Sequence, residues 1–244
     1  MSTRATPGTV HGVGLGPGAA DLMSVRADRL VRGASHVACF HKRGKQGQAR
    51  RTVEGMLRAD VVEFPMEYPV TTEIPLSDPA YAQALAGFYA DCAAHLRRLA
   101  EGGEDVVVLC EGDPFFYGSF MHLYTRLSGA VPVQVVPAIT GMSAAWTATG
   151  APITWGDDVL TVAPATLPAD ELARRIKDTD ALVVMKIGGN LAKLKTAIEA
   201  AGRLHQAWLV EYAAMPEQRV MPLADADTAP YFSIVLIHGQ GRRP

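Results

Sequence analysis

The chain has 244 residues, 48% of them hydrophobic, with 23 Lys+Arg against 25 Asp+Glu and a formal net charge of −2. That length suits one large domain or two small ones with substantial cores, and the near-balanced charge argues against a general nucleic-acid binder. Cys39, Cys92 and Cys110 lack CxxC spacing and read as reduced thiols of a cytoplasmic protein. The amino terminus has no signal-type apolar core, and no run approaches membrane-spanning length.

The chain opens with a short predicted strand, Thr9–Leu15, running into the turn Gly12-Val13-Gly14-Leu15-Gly16-Pro17-Gly18. Ser24 is placed as N-cap of a helix through Arg32, with Ala27, Leu30 and Val31 on its apolar stripe. His36–Phe40 is a second strand. It leads into the basic stretch Lys42-Arg43-Gly44-Lys45, followed by Arg50 and Arg51 with no acid before Glu54. Such a cluster is either a solvated loop or a carboxylate-binding surface, where Arg forms bidentate pairs. Val61–Phe64 reads as a third strand, residues 67–79 as a proline-rich loop, and Tyr81–Ala100 as a helix stopped by Gly102-Gly103. Val106–Cys110 is a continuous apolar run of the kind that forms a buried strand.

Composition shifts at Ser128-Gly129-Ala130-Val131-Pro132, which predicts domains over residues 1–130 and 131–244. Beyond the shift come a strand at Val133–Val136, the turn Pro137–Gly141 and an alanine-rich helix near Ser143–Thr149. Val159–Val162, Ala181–Ile187, Trp208–Tyr212 and Phe232–Ile237 follow as strands, with Asp170–Lys177 and Leu191–Ala201 as helices between them. Strand–helix alternation in both halves predicts two α/β domains with at least partly parallel sheets.

The segment Glu111-Gly112-Asp113-Pro114-Phe115-Phe116-Tyr117-Gly118-Ser119-Phe120 carries the strongest functional signal. It follows a buried strand directly, and ligands of open α/β sheets bind at the carboxyl ends of their strands. Gly112 and Pro114 predict a sharp turn, which sets backbone groups beside an anion and aromatic faces. The glycine run at 12–18 lacks dinucleotide-binding spacing, Pro17 and Gly18 delay the helix, and no acid closes the next strand. Those glycines admit either a tight turn alone or close approach of a different ligand. The histidines show no metal-ligand spacing, and neither a Gly-x-Ser-x-Gly elbow nor a Gly-Lys-Ser/Thr phosphate loop is present.

Together these segments resemble the tetrapyrrole (corrin/porphyrin) methyltransferases. The resemblance rests on Val13–Gly18, Glu111–Pro114, Pro137-Ala138-Ile139-Thr140, Val184-Met185-Lys186 and Glu211-Tyr212-Ala213, and it spans roughly Gly8 to Ile237. Phe64-Pro65-Met66, Glu111–Leu123, Met185–Gly188 and Pro230-Tyr231-Phe232-Ser233 are similar to the branch that methylates precorrin-2 at C20 to give precorrin-3A in cobalamin synthesis. The resemblance implies two α/β domains with mixed sheets and an active-site cleft between them, S-adenosylmethionine as cofactor (S-adenosylhomocysteine as product), a tetrapyrrole substrate and a homodimer. Its dimer contacts would come from the alanine-rich helix and the Pro69–Pro79 loop.

Carried onto this chain, it assigns Glu111, Gly112, Asp113, Phe116, Thr140, Met185, Ala213 and Ser233 to the cofactor. Gly16, Pro17 and Gly18 fall to the tetrapyrrole, and Arg43, Lys45, Arg50 and Arg51 are candidates for its carboxylates. Tyr117 and Glu111 are the candidate acceptors of the proton lost from C20, directly or through water. The chain departs from the family at Ala138, where glycine is usual, and from the branch at Gly189, where a polar residue is usual. Another family member acting on a different ring carbon, on a cobalt-containing substrate or on a translation factor is the alternative, as is a non-catalytic nucleotide-binding module.

Overall fold

The structure is a computed structural model that describes residues 6–70 and 78–241. It divides into two compact units, residues 1–140 and 141–244. The first unit holds a five-stranded sheet of β1 (Val10–Gly14), β2 (His36–His41), β3 (Val62–Glu67), β4 (Val106–Cys110) and β5 (Val133–Val136). Its order is β3-β2-β4-β1-β5, and every pairing is parallel. Four helices accompany it: α1 (Val25–Gly33), α2 (Gln48–Thr52), α3 (Pro79–Glu101) and α4 (Phe120–Leu127).

Alternation along the strands builds the layers. Val106, Val108 and Cys110 of β4 pack with Leu96 of α3 and Phe120, Leu123 and Leu127 of α4. Val107 and Leu109 face the other way, onto Ala27 and Val31 of α1 and Ala49 of α2. Ser24 caps α1 as predicted, accepting the Ala27 N–H at 3.1 Å. Asp78 caps α3 through the Ala80 N–H at 2.9 Å, with Pro79 in the first turn.

The predicted junction at residue 130 is corrected by ten residues. β5 pairs with β1 over Val133–Val136, so it belongs to the first sheet, and the division falls after Thr140. Two further predictions change locally. Part of the basic loop is helical, as α2, and the aromatic run ends in the buried first residue of α4, Phe120.

The second unit is a mixed sheet of β6 (Leu160–Pro164), β7 (Ala181–Met185), β8 (Ala207–Glu211), β9 (Arg219–Pro222) and β10 (Ser233–Ile237), ordered β6-β7-β10-β8-β9. β6 and β7 are parallel, while β10 runs antiparallel to both β7 and β8. One face buries Leu182, Val184, Leu209 and Val235 against α6 (Ala169–Lys177) and α7 (Leu191–Ala200). The other packs Val183, Val210, Ile234 and Leu236 against Ala145 of α5 (Gly141–Ala148). Met142, Trp146 and Ala148 of α5 join that cluster, so the alanine-rich helix spends its apolar side within its own unit. Of the Pro69–Pro79 loop, residues 71–77 lie outside the described residues. Among the described residues no helix is long and apolar enough to cross a membrane.

Candidate active site

In the first sheet β1 lies between β4 and β5, and all three run parallel, so their outgoing loops emerge side by side. The ladder then continues past the strands. Leu15 N–H donates to the Cys110 carbonyl at 3.0 Å, and Gly112 N–H donates to the Gly16 carbonyl at 2.9 Å. The glycine loop is thereby stitched to the Glu111 loop.

Asp113 ties in the third strand end. Its Oδ1 accepts the Phe115 N–H at 2.9 Å, and its Oδ2 accepts the Ala138 N–H at 3.0 Å. A Cβ at Gly14 would lie 2.6 Å from the Ala138 Cβ and 2.8 Å from the Gly112 carbonyl oxygen, so this convergence requires glycine. Gly112 itself turns with φ 61°. The carboxylate of Asp113 is therefore committed to backbone.

Tyr117 holds φ 56°, is 40% exposed and meets Phe116 edge-on at 4.8 Å between ring centroids. It is one of four non-glycine residues with positive φ among the described residues, the others being Lys186, Tyr212 and Ala214. All four follow the carboxyl ends of β4, β7 or β8. Such strain, about 1–3 kcal/mol each, persists where the surroundings over-determine the backbone and clusters at functional sites.

The far end of the loop is anchored by three hydroxyls. Ser119 Oγ lies 2.5 Å from the Tyr68 hydroxyl and accepts from the Tyr89 hydroxyl at 3.2 Å. Tyr68 follows β3 and Tyr89 belongs to α3, so three elements meet where the loop becomes α4. Burial raises the Tyr89 pKa, against the pull of its bonds with Ser119 and Tyr68.

Glu111 keeps an exposed surface, yet the protein crowded about its carboxyl raises its pKa, opposed by backbone hydrogen bonds from Ala49 and Gln48. This candidate proton acceptor thus also anchors the start of α2. Thr52, at the other end of α2, donates to the Gly18 carbonyl at 3.5 Å.

The basic cluster separates into two kinds of residue. Arg50 binds Glu63 through two bonds of 2.7 and 2.9 Å, which raise its pKa. That pair ties the end of α2 to β3, while the buried Nη1 of Arg50 has no hydrogen-bond partner among the described residues. Arg43 pairs with Glu67 at 3.2 Å while remaining 82% exposed, a weak surface pair. Lys45 and Arg51 are exposed. Gly16 and Pro17 are buried within the glycine loop, whereas Gly18 is part-exposed.

In the second unit β7 and β8 end, and β10 begins, at one edge of the sheet. Met185 and Ala213 pack there on the same apolar cluster. Ser233, 4% exposed, has an Oγ without a hydrogen-bond partner among the described residues. It pairs in register with Glu211, 5% exposed, which meets Arg219 at 3.4 Å. A buried hydroxyl left open beside an apolar frame suits a ligand with a flat apolar part and polar edges. Thr140 is the last residue of the first unit and is half-buried. The anchors Ser119, Tyr68 and Tyr89, and the burial of Glu211, carry no local sequence signature, because their partners are distant in the chain.

Residues 9–227 match the family model described as tetrapyrrole (corrin/porphyrin) methylases. The chain belongs to that family. This tetrapyrrole methylase is 46% identical over 239 residues to a precorrin-2 C(20)-methyltransferase from Sinorhizobium sp, covering 97% of this chain and 98% of the relative. It is 26% identical to a cobalt-precorrin-2 C(20)-methyltransferase of Salmonella typhimurium, over 96% of this chain and 97% of that one. Its fold matches that of a uroporphyrin-III C-methyltransferase from Thermus thermophilus complexed with S-adenosylhomocysteine, with TM-score 0.64, 20% identity, and coverage of 95% and 97%. For the methylase described here, the two α/β units and the loops at their strand ends are the family's architecture.

Proposed function

We propose that this chain catalyses S-adenosylmethionine-dependent methylation of precorrin-2 at C20, yielding precorrin-3A in cobalamin biosynthesis. The observation that carries the reading is the near full-length 46% identity to a protein bearing that activity in its name. The bound donor supplies an electrophilic methyl group and departs as the neutral thioether S-adenosylhomocysteine. A carbon–carbon bond forms at C20, a sulfur–carbon bond breaks, and the C20 proton is lost to restore conjugation.

The protein's part is placement, which can be worth about 7–11 kcal/mol when reacting groups are well oriented. Backbone at Glu111, Gly112 and Asp113, with Phe116 and Thr140, holds the methionine and ribose part. Met185 and Ala213 frame the adenine, and the open Ser233 hydroxyl supplies a polar contact. Backbone carbonyls and ring edges are mild partners for a sulfonium whose charge vanishes in the transition state. A strongly anionic site would favour the ground state instead. Tyr117, or Glu111 with its raised pKa, takes the C20 proton. Gly18, Lys45 and Arg51 meet the tetrapyrrole, with Arg43 free to exchange its weak pair for a substrate carboxylate. A cytoplasmic homodimer completes the proposal.

Anaerobic assay of purified protein with metal-free and cobalt-loaded precorrin-2, read by mass spectrometry and NMR, tests this. A product carrying one added methyl at C20 from the metal-free substrate is expected. Methylation at another carbon, or of the cobalt form alone, refutes the reading. A monomeric mass by light scattering at micromolar concentration removes the dimer from it.

A further inference from the structure

Three aromatic rings form a row at the edge of the second sheet that carries Met185, Ala213 and Ser233. Tyr231 stands edge-on to Phe232 with centroids 5.0 Å apart and an interplanar angle of 87°. Phe232 is tilted against Tyr212 at 6.2 Å and 54°. The backbone beneath is held, since Tyr212 N–H donates to the Phe232 carbonyl at 2.8 Å. That bond extends the β8–β10 ladder one step past the pair Glu211 and Ser233. Tyr212 carries a positive φ of 50° to reach this position.

Tyr231 is 77% exposed, more than any other exposed large hydrophobic residue described. Scattered apolar residues on a surface need no explanation. A braced row of rings beside a buried hydroxyl that lacks a partner is a different observation, because contiguous apolar surface marks interaction sites.

We propose that Tyr231, braced by Phe232 and Tyr212, is a substrate-binding residue that packs against the conjugated ring system of the tetrapyrrole. The inference rests on the function proposed above and adds to it the residue that orients the macrocycle. Met185 and Ala213 sit down on the core cluster, where they frame something small. Tyr231 stands 77% exposed at the same end of the sheet, where a large planar ligand can lie across it. An aromatic face suits such a partner, because offset and edge-on contacts with an extended π system add to the area buried.

The test compares Tyr231→Ala and Tyr231→Phe with the unmodified protein. Both changes are made on an exposed ring, and melting temperatures verify folding. Tyr231→Ala is expected to raise the KM for precorrin-2 by roughly 10–100-fold, the effect of losing on the order of 100 Å² of apolar contact. Its Kd for S-adenosylhomocysteine, read by calorimetry without turnover, should stay within about twofold. Tyr231→Phe keeps the ring and should stay within about threefold of wild type in KM. An unchanged KM in Tyr231→Ala overturns the inference. So does a rise in the S-adenosylhomocysteine Kd, which would assign the ring to the donor. Failure of the underlying function would show separately, as absence of precorrin-2 methylation by the unmodified protein.

Discussion

At Asp113 a single carboxylate fastens two strand ends that lie 25 residues apart in sequence. Asp113→Ala removes both acceptors and leaves the N–H groups of Phe115 and Ala138 to find others. That loss costs about 1–3 kcal/mol of stability. It should also raise the Kd for S-adenosylmethionine roughly 10–100-fold, because the loop no longer pre-forms. Calorimetry showing an unchanged Kd would detach this loop from the donor.

Glu111 and Tyr117 are the two proposed acceptors of the C20 proton, and two substitutions separate them. Tyr117→Phe keeps the ring, so if the hydroxyl takes or orients the proton, turnover falls roughly 10²–10⁴-fold while donor affinity holds. Glu111→Gln produces that fall instead if the carboxylate is the acceptor. The glutamine variant also has a stability signature. Crowding raises the Glu111 pKa in the folded state, so ionising this group costs the folded protein stability that its protonated form keeps. The favourable contribution is present at low pH and lost as pH rises through the folded value. Glutamine does not titrate, so Glu111→Gln should melt above wild type at neutral pH, with the gap closing as pH falls toward the ordinary glutamate value of about 4.3. A gap independent of pH would show that the carboxyl is not so perturbed.

Among the elements, strands and caps were legible wherever the signal is local. Val106–Cys110 and Val133–Val136 match the predicted strands, and Ser24 caps the helix assigned to it. The five-residue α2 was missed because a basic run without a long apolar stripe reads as loop. Helix α4 was missed because its first turn follows directly on a turn-rich aromatic run. The short β9, its residues mostly exposed at the sheet edge, lacks the apolar alternation that marks a strand. At the site, the Asp113 turn was readable from Gly112 and Pro114. Its bond to Ala138 and the meeting of Tyr68, Tyr89 and Ser119 depend on strand order, which local pattern does not contain.

That hydroxyl cluster yields a prediction at the same scale. Ser119→Ala removes the oxygen that both tyrosine hydroxyls meet and should destabilise by about 1–3 kcal/mol in denaturant titration. Ser119→Thr, which keeps the oxygen, should recover much of the loss. Equal losses in the two variants would mean that packing, not the hydroxyl, matters there. The basic stretch divides similarly. Lys45→Gln with Arg51→Gln should raise the precorrin-2 KM roughly 2–10-fold, as exposed charge pairs allow, without changing stability. Arg50→Gln should instead lower stability, because it leaves Glu63 without its two bonds. A KM unmoved by the double change would make the cluster a solvated surface.

For the whole molecule, the donor contacts proposed above draw on residues of both units. Gly112, Phe116 and Thr140 belong to the first, and Met185, Ala213 and Ser233 to the second. Each unit has its own sheet and its own apolar clusters, so thermal unfolding can proceed in two steps instead of one. A ligand that binds only folded protein stabilises it by about 2.7 kcal/mol at a hundredfold excess over Kd. For a chain of this size, that shifts the melting temperature by roughly 5–11 °C. Calorimetric scans with S-adenosylhomocysteine at that excess should therefore show upward shifts in every transition, or one merged transition at higher temperature. If the donor drew on one unit alone, only that unit's transition would rise and the other would stay where it was. Ser233→Ala, which removes the open hydroxyl on the second unit without adding bulk, should then shrink the shift if both sets of residues hold the ligand. A shift of the first transition alone, unaltered by Ser233→Ala, would confine the donor to the loops around Gly112 and withdraw Met185, Ala213 and Ser233 from the site.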